Sequence, residues 1–218
     1  MTRCCGPQPG AGEGSAPCVL HLDHAVTESL VDEAVALGFT SVMFDASRLD
    51  DAANRELTRA VVQRCRAAGV SVEAELGEIG GKDGVHAPGV RTHPAEAAAF
   101  VGDTGVDALA VAVGSSHAMT SRTARIDLDL VAAIHATVPV PLVLHGSSGV
   151  PDVDLVGAVE AGMTKINIAT HLNSVFTQAV RDHLAANPAV VDTRRYLGAG
   201  RAAVEDETIR LMSMLAHR

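Results

Sequence analysis

The sequence predicts an α/β fold of the (β/α)8 barrel type with about six β-then-α units present, and three observations carry that prediction. From Pro17 onward, short β-branched runs alternate strictly with longer Ala-rich amphipathic runs. The short runs are almost continuously apolar, as parallel strands covered on both faces must be. Each of the six strands also carries polar groups at or just past its C-terminal end: Asp23 and His24; Asp45; Glu73 and Glu75; His117; His145; Asn167. An open doubly wound sheet concentrates function at one switch point, whereas a barrel gathers every strand end around one mouth. Six strands from six favour the barrel.

The elements follow in order. Residues 1 to 17 hold seven Gly or Pro and almost no apolar material, so they cannot offset the entropy of being ordered; a disordered arm is expected there. Residues 18 to 218 form the barrel-type domain. Its strands are expected at CVLHLD (18 to 23), TSVMFD (40 to 45), VSVEAEL (70 to 76), DALAVAV (107 to 113), VPLVLH (140 to 145) and MTKINIA (163 to 169). Helical periodicity follows each, at 27 to 37, 50 to 68, 94 to 104, 127 to 137, 151 to 161 and 171 to 186, with a last helix from about Arg194. Gly38, Gly69, Gly105 and Gly162 sit where helices must stop before the next strand.

Composition narrows the function. The chain has 218 residues, 47% hydrophobic, and a formal charge of -9 with its basic residues scattered, which argues against a nucleic-acid surface. Small anionic substrates remain compatible, because backbone amides can hold a phosphate. Cys4, Cys5, Cys18 and Cys65 lack metal-ribbon spacing and suggest reduced thiols. No apolar run has the length of a membrane span or the form of a signal peptide, so the expected location is the cytoplasm, with no membrane partner.

His24, His117 and His145 occupy corresponding strand ends, and three imidazoles with an open position are the usual form of a catalytic zinc site. Asp23 and His24 can share that site only if the strand ends near Asp23 and the chain turns there, because alternate strand residues face opposite ways. His21 is then a deeper, buried support. Glu73 and Glu75 share one strand face, Glu75 nearer the mouth, and Asp45 ends its strand in the same way; carboxylates so placed need a cation, which a second metal position would supply. HGSSGVP places Gly146, Ser147 and Ser148 between a strand and a helix N-terminus, a place where amides can hold phosphate. NIAT, with Asn167, Ala169 and Thr170, holds the corresponding position on the next strand, where barrels commonly bind phosphate. The Gly-rich stretch from 75 to 94 reads either as a functional lid, with Lys82 and Asp83 as its chemical members, or as a disordered loop.

Taken in order, HLDH, MFDAS, EAELGEIGG, VGSSH, PLVLHGSSGVP, KINIAT and DTRRYLGAGRAAV resemble the class II, zinc-dependent ketose-bisphosphate aldolases, with the tagatose-type branch nearest because Ala169 stands where many fructose-type enzymes have Asp. The resemblance implies His24, His117 and His145 as zinc ligands, Asp23 as the general acid and base, and Asp45 and Glu75 at a second or alternate metal position. It implies substrate and phosphate contacts from Gly146, Ser148, Asn167 and Thr170, and a small phosphorylated sugar as substrate. The activity implied is reversible aldol cleavage of a ketose 1,6-bisphosphate to dihydroxyacetone phosphate and a triose-phosphate aldehyde, a lyase reaction of carbohydrate metabolism such as glycolysis, in a homo-oligomer. A second divalent or a monovalent cation is also compatible with it.

The sequence departs from the family pattern in places. Two βα units that precede HLDH in the family have no counterpart, so two exposed sheet edges are expected. Ala118 stands where Gly is usual, the GGKDG segment is short, and His171 replaces an acidic residue. The competing expectation is a truncated, catalytically impaired remnant that still binds metal. A Schiff-base aldolase would have only Lys82 and Lys165 to use, and would leave three rim histidines without a role.

Overall fold

The computed structural model describes residues 18–76 and 91–216. The arm expected at residues 1–17, and Lys82 and Asp83 of the expected lid, lie outside the described residues. Strands and helices alternate as β1 (His21–Ala25), α1 (Glu28–Ala36), β2 (Ser41–Phe44), α2 (Asp51–Ala67), β3 (Ser71–Glu75), α3 (Pro94–Thr104), β4 (Ala108–Ala110), α4 (Leu128–His135), β5 (Leu142–Leu144), α5 (Asp152–Glu160), β6 (Met163–Ile166), α6 (Thr170–Ala186) and α7 (Thr193–Ala216). A short 3-10 turn, Ser147–Gly149, leads into α5. The six strands form one sheet in the order β1-β2-β3-β4-β5-β6. A parallel sheet whose strand order follows the chain, with a helix after each strand, is an α/β fold of partial TIM-barrel type.

Local chemistry accounts for the boundaries. Thr27 accepts from the Leu30 amide at the start of α1, and Asp50 accepts from the Ala53 amide at 2.9 Å at the start of α2. Pro94 opens α3, where its missing N–H costs nothing, and Gly105 ends it in the left-handed region at φ 71°. The other expected stops, Gly38, Gly69 and Gly162, also have positive φ. β1 begins and ends later than 18 to 23, and the other strands are shorter than their expected runs, most of all β4 (107 to 113 expected), β5 (140 to 145) and β6 (163 to 169). The apolar runs extend past the hydrogen-bonded ladder because burial, not pairing, is what they encode.

The chain forms two compact units. The first contains the described residues before Glu78, with Thr92–Val111 and Ala136–Leu142; the second contains Ala112–His135 and the described residues from Val143. In the first, β1 to β3 pair in parallel register, Leu22 with Val42 and Val42 with Val72, and β3 pairs with β4 through Glu73 and Ala108. Its core is Val42, Met43 and Phe44 of β2, Val72 and Ala74 of β3 and Leu109 of β4, covered by Val61, Val62 and Cys65 of α2 and by Phe100 of α3. Each large side chain removed from water in this way contributes about 1.5–3 kcal/mol before entropy is counted. In the second unit, Val113, Ile134, Leu144, Leu155 and Met163 are buried. There α6 lies against α7 so closely that a Cβ at Gly200 would stand 2.6 Å from the Phe176 ring.

Candidate active site

The first unit solves the geometric problem of Asp23 and His24 differently from the sequence expectation. The strand does not end near Asp23; β1 continues to Ala25, but its register with β2 slips between Leu22 and Ala25. Leu22 pairs with Val42 and Ala25 with Phe44, so Asp23 and His24 together oppose Met43 alone. This is a β-bulge, and His24 adopts φ 50° within it. The left-handed residue breaks the two-residue alternation that would otherwise send the two side chains to opposite faces. Asp23 is left half exposed and His24 mostly covered.

Each polar group around the bulge is braced by another. His24 Nδ1 lies 2.7 Å from Asp45 Oδ2, while Asp45 Oδ1 accepts from the Ser47 hydroxyl at 2.6 Å and from the Ser47 amide at 3.2 Å. A carboxylate on Nδ1 fixes the proton there and directs the Nε2 lone pair outward, the arrangement that raises an imidazole's strength as a metal ligand. Glu75 is fully buried at the end of β3, and its backbone carbonyl accepts from Asn54 Nδ2 at 3.2 Å. His24 and Glu75 each offer a ligand atom, and these lie within 4.8 Å of each other. Beside them His21 Nδ1 is 2.7 Å from Ser41 Oγ, with Nε2 at 3.8 Å from Glu73 and 4.0 Å from Asp23. His21 is thus mostly covered, with its ring 4.0 Å from the Asp23 carboxylate. Glu73, 3% exposed, and Glu75 are both buried.

The second unit supplies imidazoles and backbone. His145, 1% exposed, follows β5, and its ring centroid is 5.7 Å from that of His117, with ring nitrogens within 4.8 Å of each other. Ser115 Oγ donates to the His145 carbonyl at 2.6 Å, and Asn167 Nδ2 stands 3.4 Å from His145 Nε2. Gly146 follows at φ 66°, and a Cβ there would fall 2.5 Å from the Ser116 backbone, so only glycine lets the two loops approach. Ser147 is buried and its hydroxyl donates to the Asn167 carbonyl, joining the HGSSG and NIAT segments. Ser148 is half-buried in the 3-10 turn, Ala169 is exposed just before α6, and Thr170 is the first residue of that helix. Ala118 has φ 58°, a conformation that costs a side-chain-bearing residue about 1–2 kcal/mol, which accounts for the glycine expected at that position.

Asn54, Ser41, Ser47 and Ser115 were not singled out from the sequence. Asn54 had a signal: it occupies the same α2 stripe as the buried Thr58, Val61, Val62 and Cys65, and Thr58 Oγ1 donates to its side-chain oxygen at 3.0 Å. The serines had none, since a serine near a strand end is commonplace. Cys18 is exposed and Cys65 buried, and burial raises the Cys65 pKa. Among the described residues no helix is long and apolar enough to cross a membrane.

A parallel α/β sheet in chain order, with imidazoles and carboxylates at strand ends and a Gly-Ser loop before a helix, is a partial barrel of the TIM type, a class of fold whose sites lie at the strand C-termini. The chain belongs to the class II fructose-bisphosphate aldolase family, whose model it matches over residues 8–218. It is similar to the YdjI aldolase from Escherichia coli K12, at 31% identity and a TM-score of 0.80, over 94% of this chain and 71% of that one. It is also similar to a candidate fructose-1,6-bisphosphate aldolase from Coccidioides immitis, at 32% identity and a TM-score of 0.78, over 93% of this chain and 73% of that one. A fructose-bisphosphate aldolase from Campylobacter jejuni shares the fold at 24% identity and a TM-score of 0.75, over 91% of this chain and 70% of that one. The family makes the chain an aldolase, hence a lyase.

Proposed function

We propose that the chain catalyses zinc-dependent, reversible aldol cleavage of a ketose 1,6-bisphosphate to dihydroxyacetone phosphate and a triose-phosphate aldehyde. The observation that carries this reading is the donor chemistry at the strand ends, His24 paired with Glu75 and His117 paired with His145, each pair with ligand atoms within 4.8 Å. Imidazoles with a carboxylate suit a borderline divalent cation, and three histidines with an open position suit a catalytic zinc rather than a structural one. The residues present therefore fit the metal. His24, His117 and His145 would hold it, with Glu75 and Asp45 serving a second or alternate position. When bound, the metal supplies Lewis acidity toward the substrate's ketone oxygen.

The remaining work falls to this chain's own groups. Asp23, half exposed at the bulge, takes the proton of the hydroxyl beside the carbon-carbon bond being cleaved and returns it in the condensation direction. Asp45 holds the His24 ring at 2.7 Å, so that the ligand does not reorient as charge develops. Gly146, Ser147 and Ser148 on one segment, with Asn167, Ala169 and Thr170 on the next, offer amides and hydroxyls to a substrate phosphate.

The test is a coupled cleavage assay with fructose and tagatose 1,6-bisphosphates. The purified chain is expected to cleave at least one, to lose activity in a chelator and to regain it with zinc. A folded, zinc-loaded chain that cleaves neither overturns the reading and leaves a metal-binding member of the family; cleavage indifferent to chelation overturns the metal dependence.

A further inference from the structure

One face of α7 ties together the starts of two other helices. Glu207 and Arg210 are three residues apart and therefore share a helix face. Glu207 Oε1 lies 2.7 Å from Nε2 of His171, the second residue of α6. Arg210 donates to Glu207 at 2.7 and 2.8 Å, and to Asp152, the first residue of α5, at 2.7 Å. Asp152 in turn accepts from Arg122 at 2.5 Å, and Arg122 Nε donates to the Val150 carbonyl at 2.9 Å. The five side chains form one continuous hydrogen-bonded chain within the second unit.

The helices so tied are those that follow the two candidate phosphate segments. α6 begins at Thr170, directly after Asn167 to Ala169, and α5 begins after the Gly146 to Pro151 loop. A single exposed ion pair would contribute little and carry no functional meaning. This chain differs in two ways. Arg210 makes forked contacts with two carboxylates at once, which specify direction as well as attraction. The carboxylates also stay ionised: the hydrogen bonds from Arg210, aided by His171 and opposed by burial, hold Glu207 at about 2, and although burial works against its charge, Arg210 and Arg122 hold Asp152 below the usual range. At any working pH Glu207 and Asp152 keep their charge opposite Arg210.

We propose that Glu207 and Arg210 are positioning residues for substrate phosphate, holding the N-termini of α5 and α6 at the spacing at which segments 146–149 and 167–170 grip one phosphate group. The inference rests on the reading of those segments as phosphate-binding. Neither side chain touches substrate; both act through the helix starts, where a displacement of about 1 Å is enough to misplace the amides.

The experiment measures inorganic phosphate binding by calorimetry together with KM and kcat for the bisphosphate, in the full chain and in Glu207→Gln, Arg210→Met and the charge-keeping Arg210→Lys. Glu207→Gln and Arg210→Met are expected to weaken phosphate binding and raise KM by about 10-fold, with kcat within about 2-fold and zinc content unchanged, while Arg210→Lys recovers part of the loss. Variants that melt earlier yet keep the parent's phosphate affinity and KM overturn the proposal and make the clamp purely structural. If Arg210→Met fails to fold, Arg210→Lys and Glu207→Gln decide the matter by the same two readings. A parent chain that binds phosphate and cleaves nothing, with variants that lose the phosphate, removes the aldolase reading and supports the positioning role. A parent that cleaves, with variants matching it in every constant, does the reverse.

Discussion

The two units build their parts of the chemistry by different means. In the first, His24, Asp45 and Glu75 stand on β1, at the end of β2 and on β3, beneath a tightly packed helix layer, and side chains brace them: Asp45 on His24, Asn54 on the Glu75 carbonyl, Ser41 and Glu73 around His21. In the second, β5 and β6 are three and four residues long, and the site is made of loops whose backbone enters unusual conformations at Gly146 and Ala118. On the proposed function, the difference follows from what each half would do. A buried carboxylate or imidazole needs partners to hold its charge and its orientation, and a strand lattice supplies them. Amides that hold an anion need exposed backbone, which only loops and helix starts provide.

Substitutions separate the two halves. The largest effect is expected from His117→Ala in the second unit: zinc falls from about one per chain to a small fraction, and turnover goes with it. Metal analysis of that variant showing full zinc would break the ligand assignment. Next comes Asp23→Asn in the first unit, for which kcat should fall by about 10²–10⁴ while zinc content stays that of the parent. Loss of metal in Asp23→Asn would instead place Asp23 among the ligands and blur the contrast between proton chemistry and metal binding.

The smallest effect concerns acid stability. Glu207 titrates at about 2 in the folded chain, below its ordinary 4.5, so its ionic contacts stabilise the fold fully above about pH 4.5 and are lost as pH falls toward 2. After screening by solvent this amounts to about 1–2 kcal/mol. Urea unfolding of parent and Glu207→Gln should therefore differ at pH 7 and converge near pH 2; a gap that persists at pH 2 would mean that packing, not charge, is what α7 contributes there.

Much of this arrangement was legible before any coordinates. Alternation of short apolar and long amphipathic runs located every strand and helix, because burial on both faces of a parallel strand and on one face of a helix leaves different periods in the chain. That Glu73 and Glu75 share one strand face followed from their spacing of two. The bulge at Asp23 and His24 was not legible: a turn was expected where the strand in fact continues, since a one-residue slip depends on how β1 meets β2 and leaves no local composition to read. Asn54 could have been found from its place on the buried stripe of α2.

By itself, then, the sequence determined the order and type of the elements, the polar group at each strand end and the family, since all of these depend on residues near one another or on motifs read in order. Tertiary structure alone decided which nitrogen of His24 meets Asp45, how Glu75 is anchored by a helix 21 residues earlier, and that α7 reaches the starts of α5 and α6 through Arg210 and Glu207. Those contacts join residues 21 to 58 positions apart, and hydrogen bonds at about 3 Å depend on packing that no local pattern specifies.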